Sequence, residues 1–305
     1  MSDRLRRALR RPAQAIALAA VASVAFAPAA QAQYTAYALT TTTGGAQQLV
    51  RFNTADPTNV AVVGLVGNVT LTGLDFRPAT GMLYGFDGSA LYTLNPSTGA
   101  ATFTFATSAP ATGNVGFDFN PTVDRIRIVS PAGTNLRVNP ADGVAIVDGA
   151  YTYAAGDPNA GQTPSFMAVA YTNSDNDPAT GTTLFGVDRN LGTLVRVDAP
   201  NGGAVTTIGS LGLGLTPGVT GFDIVTVGTT NVAFLTTLVA GTPASRLYTV
   251  NLATGVASRV GTIAAANGVT ALAVTTIPEP GTWALLAAGL VGVAGVATTR
   301  RRRAR

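Results

Sequence analysis

The 305-residue sequence has no cysteine, no histidine and no lysine, one tryptophan and one glutamate, Glu279. Each absence removes a class of chemistry. Without cysteine there is no disulfide framework, which fits an exported protein that does without one. Without histidine, nucleophile–imidazole catalysis and ordinary zinc coordination are excluded. Every positive side chain is arginine, and only 11% of residues are charged, under half the usual share. Chemistry in the central part of the chain is left to Asp, Arg, Tyr, Ser, Thr, Asn and the backbone.

The net charge of +4 conceals an uneven distribution. Residues 1–32 hold five Arg and one Asp, and residues 278–305 hold five Arg and one Glu, so each end carries +4. Residues 33–277 hold nine Arg and thirteen Asp, so the middle carries −4. With the basic charge confined to the ends, no nucleic-acid partner is expected.

The two ends read as addresses. Residues 1–32 begin with an Arg-rich segment and continue through an apolar stretch from Ala13 to Ala27. They finish in Ala30-Gln31-Ala32, the small-residue pattern cut by signal peptidase after Ala32. A buried amphipathic helix is the alternative, but charge, apolar run and cleavage site come in the order of a secretory signal. At the other end, Pro278-Glu279-Pro280 precedes an uncharged run from Trp283 to about Thr299. Roughly 17 residues is the short limit for a membrane-spanning helix. Arg300, Arg301, Arg302 and Arg303 follow, as a stop-transfer block held on the cytoplasmic side.

The order Pro-Glu-Pro, apolar helix, terminal Arg cluster resembles the PEP-CTERM sorting tail of Gram-negative bacteria. The resemblance implies an exosortase partner, cleavage near Pro278–Pro280 and transient contact with the inner membrane. It also implies a destination at the cell surface or in the exopolysaccharide matrix.

The middle, residues 33–277, is rich in Val, Thr, Gly and Ala, a composition of strands and tight turns. It repeats. One unit is a strand, then Asn or Asp, then a turn ending in Gly: LVRFNTADPTNV at Asn53, LYTLNPSTGA at Asn95, LRVNPADGV at Asn139, LVRVDAPNGGA at Asp198 and LYTVNLATGV at Asn251. A second unit precedes the later copies: GLDF at 73–76, GFDF at 116–119, SFMAVAY at 165–171 and GFDIVTV at 221–227. The first turn unit has no such strand before it, and an unmatched copy, GVTALAVTT, sits at 268–276. This predicts a β-propeller of five four-stranded blades, closed by pairing the C-terminal strand with the N-terminal blade. A β-sandwich and an open β-solenoid are the alternatives. Two insertions, 150–164 and 172–183, are expected to form loops on one face.

The words GFDFNPTVDRIRIV, TNLRVNP, AGDPNAG, AYTN and TTLFGVD, in that order, resemble a bacterial family catalogued as domain of unknown function 4394, whose members are mostly exported repeat proteins of β character. The resemblance spans about Tyr34 to Val274. It implies no activity and no catalytic residues.

Candidate chemistry rests on three groups. Asp75, Asp118 and Asp223 share one position on the predicted inner strands. They are read either as paired carboxylates of a carbohydrate-active hydrolase or as fasteners that accept backbone hydrogen bonds at a repeated packing point. Asp124, Arg125, Arg127 and Arg137 form a second cluster. Alternation puts Arg125 and Arg127 on one strand face, opposite Ile126 and Ile128. They could bind an acidic sugar, since Arg binds carboxylates bidentately, or pair with Asp between blades. Asn173, Asp175 and Asp177 alternate like the start of a calcium loop, but the Gly at the sixth position and the Glu at the twelfth are missing. No cofactor is expected, with calcium the weak exception. The function expected is a non-catalytic binding or structural module at the surface or in the matrix, with exopolysaccharide as a partner; the hydrolase is the alternative.

Overall fold

The computed structural model describes residues 34–213 and 218–276. The signal segment with Ala30 and Ala32, the Pro278–Pro280 motif, the apolar run 283–299 and Arg300–Arg303 lie outside them. Among the described residues no helix is long and apolar enough to cross a membrane.

The described chain is all-β apart from one 3-10 turn, Pro178–Thr180. Its strands form five separate sheets, the blades of a propeller. Blade 1 contains Tyr34–Thr41, Gln47–Asn53 and Asp56–Leu65, with the last strand of the chain, Ala271–Thr276, as its innermost member. Blade 2 runs outward from Gly73–Arg77, blade 3 from Gly116–Asn120, blade 4 from Phe166–Tyr171 and blade 5 from Val219–Val227. Closure is antiparallel, Tyr34 opposite Thr276 and Leu39 opposite Ala271. It gives the first strand a partner on each side, so neither end of the chain leaves an unpaired inner edge.

The repeated turn works through the side chain that opens it. Asn95 Oδ1 accepts from Ser97 N at 2.8 Å while the Asn95 carbonyl accepts from Gly99 N at 2.8 Å. Asn139 and Asn251 do the same with Ala141 and Gly143, and with Ala253 and Gly255. Gly99, at φ 79°, needs the left-handed region, and a Cβ there would also meet the Gly64 carbonyl of blade 1 at 2.6 Å.

The core is not one mass but five apolar clusters, each squeezed between neighbouring blades. Phe86, Phe117 and Ile126 belong to the seam of blades 2 and 3, and Ala170, Ile224 and Leu235 to that of blades 4 and 5. The seam between blades 3 and 4 differs. Its apolar cluster centres on Tyr151, Phe166, Tyr171 and Val197, and beside it lies a polar network. Blade 3 is also narrow there: its two outer strands, Asn135–Val138 and Ala145–Val147, have four and three residues.

The insertion at 150–164 does not stand out as a loop throughout. Thr152–Tyr153 pairs parallel with Ala204–Ser210 and gives blade 4 a fifth, outermost strand. The 172–183 insertion does project, at the end of the molecule where the inner strands finish.

Candidate functional site

Chemical residues gather in two places: an aspartate ring on the inner strands, and an arginine cleft in the seam of blades 3 and 4.

The ring is built by alternation along three inner strands. Each reads Gly-x-Asp, so Gly and Asp point to the same side. The glycine lets the next blade approach: a Cβ on Gly116 would lie 2.8 Å from Val169 N, and one on Gly221 would lie 2.6 Å from Leu272 Cβ. The aspartate then reaches across that contact. Asp75 accepts from Phe119 N at 2.8 Å, Asp118 from Tyr171 N at 3.0 Å and Asp223 from Val274 N at 2.5 Å, each donor on the following blade. Blades 4 and 1 carry Ala170 and Ala273 at the same place. The amides that follow those alanine positions around the ring, Phe76 N and Ile224 N, are taken by the aspartates of their own strands, Asp75 and Asp223. Five inner-strand amides are therefore held by three carboxylates.

The three are 6%, 2% and 4% exposed. Burial, and then the neighbouring carboxylates, hold Asp75 and Asp118 well above the usual range. Burial pushes Asp223 up to about 6, against the pull of its two amides. One oxygen from each lies within 4.8 Å of the others, a separation that two Ca–O bonds of ~2.3–2.6 Å could bridge. Among the described residues this is the one group of three acidic side chains close enough to share a cation. The channel mouth beside Asp75 and Asp223 is about 190 Å³, below the ~300 Å³ where small-molecule sites begin.

Asn173, Asp175 and Asp177 do not form such a group. Asn173 is tied to Asn231 of blade 5 through its side chain and its amide. Asp175 Oδ1 accepts from Asp177 N and Thr180 Oγ1, and Asp177 Oδ1 caps Ala179 N.

Arg125, Arg127 and Arg137 come together in a cleft of about 540 Å³, which also touches Asn120, Tyr171 and the 199–202 turn of blade 4. Alternation places Ile126 and Ile128 in the core behind them. Arg127 and Arg137 are directly opposite on adjacent strands, a repulsive placement that Asp148 offsets by bridging both. Its Oδ2 is 2.7 Å from Arg127 Nη1, and its Oδ1 is 3.1 Å from Arg137 Nη2. Arg127, 2% exposed, also donates to Asn135 and to Asn201 of blade 4, each at 2.7 Å, and to the Tyr171 hydroxyl at 3.4 Å. It therefore stitches the seam with every nitrogen it has. Arg125 donates only Nη1, to the carbonyls of Val123 and Asp124. Asp124 is not in the cleft. It has φ 50° and pairs bidentately with Arg77 of blade 2. Asp148, Asn135, Tyr151 and Asn201, which hold the cleft in shape, were not singled out by the sequence. Asn135 lay in the word TNLRVNP, Tyr151 in the 150–164 insertion and Asn201 in the LVRVDAPNGGA turn unit, while Asp148 carried no signal.

The model of the family described as "Domain of unknown function (DUF4394)" matches residues 48–273, and that of the PEP-CTERM protein-sorting motif matches 276–303. No curated protein matches the sequence. Similar solved structures include a chain of a nidogen/laminin complex, with 11% identity, 79% of this chain and 98% of that one covered, and a TM-score of 0.45. Another is a putative 6-phosphogluconolactonase from Bacteroides fragilis, with 11% identity, 77% and 83% covered, and a TM-score of 0.43. A third is a protein of unknown function from Bacteroides thetaiotaomicron, with 13% identity, 65% and 52% covered, and a TM-score of 0.44. At these scores nothing about ligand or activity follows for this chain.

Proposed function

The chain belongs to the DUF4394 family and ends in a PEP-CTERM sorting motif, and from that premise we propose that its propeller is a non-catalytic binding module of the cell surface or exopolysaccharide matrix. The tail implies export and membrane-associated sorting by an exosortase. Signal peptidase acts at the other end, after Ala32.

The observation that carries the binding reading is the cleft of blades 3 and 4, lined by three guanidinium groups of which two share the one carboxylate of Asp148. Such a surplus in an acidic domain suits an anionic ligand. The alternative, a hydrolase using paired aspartates, has only the closeness of Asp75, Asp118 and Asp223 in its favour. Their burial, their amide partners and the small channel mouth weigh against it.

A glycan array probed with the exported protein tests the binding reading; silence toward every matrix polysaccharide would end it. Mass spectrometry of protein from the native host tests the processing. Gln33 should be the first residue and Arg300–Arg305 should be gone, and an intact C-terminus would overturn the exosortase step.

A further inference from the structure

The arginine cleft does not end at the seam. A second cavity of about 220 Å³ shares Asn120, Tyr171 and Pro200 with it and continues over blade 4 past Thr183, Arg196 and Asp198. Tyr171 is buried and forms the common floor. The result is one groove that starts on blade 3, crosses the seam and follows the base of the 172–183 insertion.

The polar groups along it are unequally committed. Arg127 is saturated, and Arg196 is paired with Asp198 at 2.5 Å. Other groups are left over. Arg125 Nε and Nη2 and Arg137 Nη1 donate to no described residue. Asn120 uses its Oδ1 for Thr122 N and Val123 N, and its Nδ2 finds no described partner. Thr183 uses its amide, and its hydroxyl finds none. The free groups thus fall into a cationic end on blade 3, an amide donor at the waist and a hydroxyl on blade 4. Four of the nine arginines of residues 33–277 line the groove, with Asp148 and Asp198 as the acids paired to them. The groove is therefore a +2 strip in a domain whose own balance is −4.

We propose that this groove holds the interior of a linear, carboxylate-bearing polysaccharide. Arg125 and Arg137 take a carboxylate, and Asn120 and Thr183 take the hydroxyls of the adjoining sugar. The proposal rests on the binding reading above and adds to it the ligand's charge, its chemical class and its length. A carboxylate is the natural mate for planar guanidinium forks. Length follows from the shape, because a monosaccharide would meet one end or the other but not both. Arg127 is a positioning residue: it fixes Tyr171 and the 199–202 turn as floor and wall.

The test is calorimetry of the exported protein with galacturonate, tetragalacturonate, polygalacturonate, dextran sulfate and neutral dextran at low and moderate salt. The tetramer should bind at least about tenfold tighter than the monomer, and salt should weaken both. Arg125→Ala should weaken monomer and tetramer alike, by about tenfold. Thr183→Val should weaken only the tetramer, by about threefold. Both side chains lie outside the structural networks, so neither change should disturb folding. Equal affinity for monomer and tetramer would overturn the extended groove. Dextran sulfate binding as tightly as polygalacturonate would overturn carboxylate recognition. Binding of neutral dextran alone would overturn the ligand class while leaving a binding module, whereas silence on the glycan array removes the binding reading itself.

Discussion

Substituting Asp223→Asn should flatten the fall in stability between acid and neutral pH, although it alters a buried residue that holds two backbone amides. The asparagine carbonyl can still accept from Val274 N, so the bridge from blade 5 to blade 1 survives, while Ile224 N loses its acceptor, a pH-independent cost of about 1–3 kcal/mol. What disappears is a charge that the ring disfavours. Burial raises Asp223 from its ordinary 3.8 to about 6, and a rise of that size is worth roughly 3 kcal/mol. The sign follows from where the proton sits. With the folded-state value above the unfolded one, the folded protein binds the extra proton. Stability is fully present below about pH 4 and is lost as pH rises through about 6. Asp75 and Asp118 are also raised, and they extend the loss to higher pH.

For a domain of this size ~1 kcal/mol moves Tm by roughly 2–4 °C. The wild type should therefore lose roughly 6–12 °C through Asp223 alone between pH 4 and pH 7.5, relative to the Asn variant. The assay is thermal unfolding followed by circular dichroism across that range, with a chelator present so that no divalent cation neutralises the ring. Comparing variant with wild type cancels the aspartates outside the ring, some of which titrate in the opposite sense, while Asp75 and Asp118 are relieved by the loss of the Asp223 charge and add to the difference in the same direction. A variant that follows the wild-type pH profile would refute the reasoning.

Three further outcomes follow from the packing. Arg127→Met should cost about 3–5 kcal/mol in urea denaturation, because it strips a partner from the buried Asp148 and from Asn135 and Asn201. Arg137→Met, at a partly exposed guanidinium whose carboxylate still keeps Arg127, should cost under about 1 kcal/mol, and equal costs would contradict the assigned roles. Gly116→Ala should cost about 1–3 kcal/mol, since its Cβ would meet backbone of blade 4 at 2.8 Å; an unchanged urea midpoint would mean the blades are not held that tightly. Ending the domain before Ala271 should leave Tyr34–Thr41 with an open edge and produce aggregates in light scattering, and a monodisperse product would show that closure is dispensable.

Blade number and closure were legible because both depend on local chemistry that recurs. An Asn that folds its side chain back two residues, followed by a Gly with positive φ, marks one hairpin of blades 2, 3 and 5, and the turns at Asn53 and Asp198 keep the spacing with only part of that chemistry. The lone GVTALAVTT could only belong to the blade that lacked an inner strand. Thr152–Tyr153 was not legible. A parallel partner needs no tight turn, so nothing in AYTYAAGDPNAG distinguished a short added strand from a loop. The cleft was half legible. Alternation put Arg125 and Arg127 on one face, but the same word also contained Asp124, which turns through φ 50° toward Arg77 of the blade before. One residue of left-handed backbone separates a seam fastener from a cleft residue, and sequence spacing carries no sign of it.

The sequence left Asp75, Asp118 and Asp223 open between paired carboxylates and repeated fasteners, and the structure accounts for why the repeat is incomplete. Aligned by their place in the blade, the inner strands read Gly-x-Asp in blades 2, 3 and 5, and Ala-x-Ala in blades 4 and 1, at Ala168–Ala170 and Ala271–Ala273. Five amides point into the axis, and a carboxylate has two oxygens, so three aspartates suffice when two of them serve both their own strand and the next. A fourth or fifth would add a buried charge within a few ångströms of the others and find no donor left to offset it. Alanine keeps the strand packed without that cost. The pattern therefore marks a limit set by electrostatics rather than drift in the repeat. By the same reasoning, Ala170→Asp should be harder for the fold to accept than Asp118→Asn.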